Sequence, residues 1–202
     1  MSNNSLLKPL IIASESEIRK KILSDFNLKT SFIASEVDED LIKKNFKYKS
    51  YYDLAVELAC AKALKISKKY KDNYVLGVDQ ICEFNEEIFN KPRNKKNCVK
   101  TLQKLSGNTH TQNCGMAIAY NEKIVWTSYD IAKLTMKELS LKEIENYIAK
   151  DSPYMCCGSY KYELNGKDLF SEVEGSIYTI QGLDIDSLLV YLRQNKFIWD
   201  FS

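Results

Sequence analysis

The chain has 202 residues, room for one large domain or two small lobes, and its 29 basic and 27 acidic residues leave a net charge of +2. So even a balance excludes a polycationic nucleic-acid binder, although a small anionic ligand needs only a local basic cluster. No apolar run nears the roughly 20 residues of a membrane span, and Met1 to Lys8 is too polar for a secretion signal, so a cytoplasmic protein is expected.

Pro9 to Ala13 reads as a buried strand. The stretch from Ser14 to Leu23 reads as a helix, with Ser14 or Ser16 near its N-cap and Ile18, Ile22 and Leu23 on its apolar face. A strand, a small-residue turn and a helix start form a natural anion site, because first-turn N–H groups lack helical partners. Arg19 lies in that turn. It either adds a charged fork for a phosphate or forms a surface salt bridge. Thr30 to Ala34 reads as a second strand. The acidic cluster from Glu36 to Asp40 reads as a solvated helix start, where carboxylates suit the dipole. Within it, Glu39 or Asp38 could reach a metal ion. Residues 41–49 read as a polar connection or a frayed helix end.

Tyr51 to Lys69 follows helical spacing through Leu54, Leu58, Ala61 and Leu64 or Lys65. Lys62 stands among Ala59, Cys60, Ala61 and Ala63. It snorkels to water or points into a cleft. The next stretch, Tyr74 to Cys82, organises the chain: a buried strand runs up to Asp79. A buried carboxylate costs free energy unless it is paired or binds a metal. Asp79 is therefore either a satisfied structural acid or a working one. In α/β proteins ligands gather at strand ends, so Asp79 with Gln80 is the first candidate for chemistry.

A turn at Asn85-Glu86-Glu87 returns the chain through Ile88 and Phe89 to Lys91, about one strand length after Asp79. Asn94 to Leu105 reads as a helix stopped at Gly107. His110 follows, more a packing or hydrogen-bonding residue than a catalyst. Residues 109–121 and 123–135 read as a hairpin, and Leu141 to Lys150 as a helix with Ile144, Tyr147 and Ile148 inward. Between Gly158 and Ser176 glycines bracket short, tight elements, read as one rim of a pocket. Asp184 to Gln194 closes the chain as a helix with Leu188, Leu189 and Leu192. The six cysteines form no CxxC pair and the chain has one histidine, so zinc is not expected and reduced thiols are.

Glu39 and Asp79 offer hard oxygen ligands that suit Mg²⁺ or Mn²⁺. Arg19, Lys62 and Lys91 suit a polyphosphate. A carboxylate beside a metal and an anhydride can position and deprotonate water. Metal-assisted hydrolysis of a phosphoanhydride is the chemistry this set would serve if its members converge.

The ordered blocks resemble the Maf family. They run from Ile12-Ala13-Ser14 with Ser16 and Arg19, through Glu36-Val37-Asp38-Glu39 and Glu57-Leu58-Ala59 with Lys62-Ala63, to Leu76-Gly77 with Asp79-Gln80 and Lys91-Pro92. Leu105-Ser106-Gly107 with His110, Gly158-Ser159-Tyr160, Phe170 with Val173-Glu174-Gly175, and Gly182-Leu183 continue the series. The match covers roughly residues 8–194 of a single domain, 1–202. The resemblance implies an elongated α/β fold with a mixed sheet and two lobes flanking a central cleft, inosine-triphosphatase-like and often a homodimer. It implies a nucleoside triphosphate pyrophosphatase that cuts between the α- and β-phosphates with a divalent metal. Such enzymes clear non-standard or modified nucleotides and are linked to cell-division arrest.

Carried over by position, Asp79 is the catalytic proton acceptor, Glu39 and Asp79 hold the metal, and Ser14, Arg19, Lys62, Gln80 and Lys91 meet the substrate. Glu17-Ile18 replaces the usual Pro-Arg, so one signature arginine is missing and a negative charge is added nearby. Asn90 stands where a glycine commonly precedes Lys-Pro. Asp79-Gln80 and Gly158-Ser159-Tyr160-Lys161 look closer to the branch that includes 7-methyl-GTP hydrolases than to the dTTP/UTP branch. The alternative reading is a catalytically weak, nucleotide-binding regulator of division.

Overall fold

The structure is a computed structural model that describes residues 8–197. Residues 1–7, most of the stretch read as too polar for a secretion signal, lie outside it. Among the described residues the seven strands are β1 (Leu10–Ala13), β2 (Ser31–Phe32), β3 (Tyr74–Phe84), β4 (Glu87–Phe89), β5 (Thr109–Tyr120), β6 (Lys123–Met136) and β7 (Phe170–Glu174). They form one mixed sheet in the order β2-β1-β3-β5-β6-β7, with β4 paired to β3. β1 is parallel to β2 and β3, whereas β4 on β3 and β7 on β6 are antiparallel.

Among the described residues seven α-helices accompany the sheet: α1 (Glu17–Asp25), α2 (Glu39–Asn45), α3 (Tyr51–Ser67), α4 (Lys95–Leu105), α5 (Leu141–Asp151), α6 (Ile177–Ile180) and α7 (Ile185–Gln194). The α/β mixed-sheet class expected from the sequence is the one observed. No helix among the described residues is long and apolar enough to cross a membrane. Helix starts are set by local chemistry. Ser16, Asp38, Ser50, Asn94, Ser140 and Asp184 each accept, through a side-chain oxygen, the N–H three residues on.

Two expectations are corrected and one choice is decided. The second strand shrinks to Ser31–Phe32, because this edge strand pairs only with Ile11 and Ile12 of β1. Of the two readings of residues 41–49, the helix end is the one observed as far as Asn45, because Asp38 caps α2 at Leu41. The rim expected at 158–176 contains β7, whose alternation was hidden by Ser171, Glu172 and Glu174. Its ladder lies on Lys133 to Met136.

The chain divides into two compact units. One takes the chain up to Asp79, then Cys114–Asp130, then the chain from Gly182 on. In it α3 meets the sheet backbone to backbone. A Cβ on Gly77 would lie 2.0 Å from the Ala59 carbonyl oxygen, and one on Gly115 would lie 2.3 Å from the Val56 nitrogen. Ala55, Ala59 and Ala63, four residues apart on one helix face, are the small residues that allow this approach. Ile11, Ala13, Ala63, Ile66, Val75 and Ala119 pack the same interface.

The other unit takes Gln80–Asn113 and Ile131–Gln181. Its core gathers Leu102, Leu105, Leu134, Ile144, Ile148 and Phe170. His110 is buried there, as a packing and hydrogen-bonding residue: its Nε2 lies 2.9 Å from the Tyr160 hydroxyl, which also accepts from Gln112 Nε2 at 2.7 Å. Burial lowers the His110 pKa to about 4. None of the six cysteines is in a disulfide, and three of them are fully buried. Burial pushes the Cys114 thiol up to about 12, well away from thiolate chemistry.

Candidate active site

The close packing of α3 on β3 decides where two charged side chains fall. Gly77 and Asp79 are two apart on a strand and share a face, so the face that touches Ala59 and Ala63 also presents Asp79. Lys62 sits one residue before Ala63 on the facing helix. Its ammonium forms an ion pair with Asp79 Oδ1, and it reaches Glu39 Oε1 at 2.7 Å. Glu39 is in the first turn of α2, which places its carboxylate beside α3. Lys43, one turn further along α2, stands 3.9 Å from Glu39 Oε2.

The centre of the site is therefore one ammonium between two carboxylates. Asp79 is only 6% exposed and Lys62 only 9%. Burial alone would lower the Lys62 pKa, but the Asp79 and Glu39 carboxylates outweigh it and raise the value. Lys62 neither snorkels nor stands free: it is the shared counter-ion of the buried Asp79 and the half-buried Glu39. The acidic cluster separates by role. Asp38 caps α2 at 2.9 Å from the Leu41 nitrogen, Asp40 is exposed, and Glu39 turns to Lys62.

Arg19 is not a surface salt bridge. Its Nε donates to the Gly182 carbonyl at 2.7 Å, and its Nη1 donates to Ser14 Oγ at 3.1 Å and to the Val78 carbonyl at 3.2 Å. It thus ties the start of α1 to the residue before Asp79. Ser14 Oγ also accepts from the Ser16 N–H at 3.2 Å, which leaves its own proton to donate. The charge added by Glu17 is largely spent in solvent: its side chain is 85% exposed and pairs with Lys20 at 2.6 Å.

Gln80 and Lys91 belong to the other unit. There Gln80 Nε2 donates to the carbonyls of Thr179 and Ile180 at 2.8 and 2.9 Å, clamping the end of α6, while its Oε1 accepts from the Cys157 thiol at 3.5 Å. Lys91 is exposed just after β4. The anchors of Arg19 at Val78 and Gly182 were not foreseen. Both are backbone carbonyls, and no side-chain pattern marks them.

Among the described residues no group of three His, Cys, Asp or Glu side chains is placed to hold a metal. The two carboxylates that share the Lys62 ammonium are nevertheless hard, convergent oxygen donors. Mg²⁺ characteristically takes one or two protein carboxylates and completes its shell with water and substrate phosphate. The donor set fits such an ion.

The fold and site define an α/β protein with an ammonium-bridged carboxylate pair, one member buried and one half-buried, at the meeting of β3, α2 and α3. The family described as Maf-like protein matches residues 9–195, and the chain belongs to it. A protein of Legionella pneumophila (strain Corby) named nucleoside triphosphate pyrophosphatase is 40% identical over 191 residues, 95% of this chain and 96% of that protein. A protein of the same name from Nitrobacter winogradskyi is 35% identical over 188 residues, 92% of this chain and 93% of its own. Among solved structures, the Staphylococcus aureus Ham1 protein is 15% identical, covers 93% of this chain and 100% of its own, and has a TM-score of 0.47, too distant to bear on function.

Proposed function

We propose that this chain is a nucleoside triphosphate pyrophosphatase of the cytoplasm. It hydrolyses an NTP at the α–β phosphoanhydride to the monophosphate and pyrophosphate, with Mg²⁺ or Mn²⁺. The observation that carries the reading is the convergence of Glu39, Lys62 and Asp79, within a chain 40% identical to a relative of that name. The proposed work in the cell is removal of modified or non-standard nucleotides, tied to cell-division arrest.

In this reading Glu39 and Asp79 hold the metal. When bound, the ion withdraws charge from the phosphate oxygens and makes an attacking water more acidic. Asp79 accepts the proton of that water. Its Oδ1 pairs with Lys62, and Oδ2 is the oxygen proposed to accept that proton. Lys62 meets the phosphate charge. Ser14 donates its hydroxyl to a phosphate oxygen beside the first turn of α1, where the helix start favours an anion. Arg19, with Nε and Nη1 committed to its own chain, steadies the segment that carries Asp79 while its remaining nitrogen faces the same phosphates.

The test is pyrophosphate release from a panel of standard and base-modified NTPs, 7-methyl-GTP included, with Mg²⁺ or Mn²⁺. Asp79→Asn should lower kcat by about 10²–10⁴-fold while nucleotide binding persists. No release from any nucleotide, with binding retained, would favour the weak-turnover regulator, for which Ile18 in place of an arginine is the motivating feature. Recovery of turnover in Ile18→Arg would then support that second reading.

A further inference from the structure

Lys62 does more than wait for a phosphate. It occupies the place between the two oxygens that the proposed metal needs. Its ammonium contacts Glu39 Oε1 at 2.7 Å and pairs with Asp79 Oδ1, and Lys43 stands on the other oxygen of Glu39 at 3.9 Å. Its side chain is only 11% exposed. The backbone that carries it is held against β3, because the neighbouring Ala63 and the preceding turn at Ala59 lie against Gly77 at backbone distance, while the side chain beyond it keeps its own rotamers. A Mg²⁺ ion would bind those carboxylate oxygens at about 2.0–2.1 Å. Two cations cannot share so small a volume, away from water, without strong repulsion.

We propose that the Lys62 ammonium is a built-in competitor of the metal. It holds the Glu39–Asp79 pair closed to a divalent cation until a triphosphate draws it away. This rests on the reading that these carboxylates are the metal's ligands. A triphosphate offers the ammonium several anionic oxygens in exchange for the two it gives up. The amine leaves the acids for the phosphates, and the acids become available to the ion that the same phosphates carry. The metal site is thereby assembled by the substrate, and the free protein binds divalent ions weakly. The device also gives the buried Asp79 and the half-buried Glu39 a shared counter-ion while no substrate is present, which a site preformed for metal alone would not do.

The test is Mn²⁺ binding without nucleotide, read from the electron paramagnetic resonance signal of free Mn²⁺. Lys62→Met should tighten Mn²⁺ binding by about tenfold or more, and adding Glu39→Gln to that variant should abolish the gain. An unchanged or weaker affinity in Lys62→Met would overturn the proposal, as would a gain that survives Glu39→Gln. The wild-type protein supplies a second measurement that needs no folded Lys62→Met. With ¹³C-labelled lysine, the Lys62 Cε resonance, assigned by its loss in Lys62→Arg, should shift with a non-hydrolysable triphosphate and stay in place with Mg²⁺ alone. An equal shift with Mg²⁺ alone would contradict the proposal. Neither measurement depends on turnover: NTP hydrolysis with an unchanged Mn²⁺ affinity in Lys62→Met would sink this inference and leave the pyrophosphatase reading standing.

Discussion

Arg19 spends its charge on its own chain. Two buried residues, Val78 and Gly182, supply the carbonyls it satisfies. Arg19→Ala would leave both acceptors without that donor, at about 1–3 kcal/mol each. Chemical denaturation should therefore show a loss of about 2 kcal/mol or more, and kcat should fall with it because Val78 precedes Asp79. A fully stable variant with a raised KM alone would mean that the guanidinium serves only the substrate. His110 carries a different signature. The unfolded chain takes up its imidazole proton near pH 6.5, and the folded chain only near pH 4. Between those values the unfolded state binds more protons, so acid favours unfolding, by up to about 3 kcal/mol at the lower end. Melting followed from pH 7 to pH 4 should show this decline, and His110→Asn should flatten it. An unchanged slope in that variant would assign the acid sensitivity to other groups. Asp79 was legible as a candidate because a carboxylate inside a buried strand needs a reason. The use of Lys62 was not, because the run of alanines around it shows burial without showing which acid it meets.

At the scale of elements, the site depends on how closely α3 lies on β3. Gly77 is the hinge of that argument. A methyl group there would stand 2.0 Å from the Ala59 oxygen and 2.8 Å from the Ala63 nitrogen, both backbone atoms that cannot swing aside. Gly77→Ala must push helix and strand apart, at a cost of about 1–3 kcal/mol for overpacking. It should also weaken the Lys62–Asp79 pair and lower activity more than it lowers stability. Thermal melting and turnover measured on the same variant check this, and unaltered activity would show that the pair tolerates looser packing. The helices were legible because their caps and apolar faces are local: Ser16, Asn94 and Asp184 announce α1, α4 and α7 within three residues. Edge strands were less so: β2 was read three residues too long, and β7 was not read. β2 keeps two residues, and β7 is mostly polar, so their existence depends on the neighbour they pair with rather than on their own composition.

At the scale of the whole molecule, the order of strands and helices follows from the chain read left to right, whereas the site requires distant segments to meet. Glu39, Lys62 and Asp79 come from two helices and a strand, and Arg19 reaches a carbonyl 163 residues away. No spacing rule encodes such contacts. Packing of small residues against glycine creates them. Acting together, these groups are expected to cleave the bond between the α- and β-phosphates. The most direct measurement is ³¹P NMR of the products formed by the wild-type protein from an NTP substrate with Mg²⁺. Nucleoside monophosphate and pyrophosphate should form in equal amounts, and both should be lost in Asp79→Asn. Nucleoside diphosphate with orthophosphate, or the same products at an unchanged rate from Asp79→Asn, would contradict it.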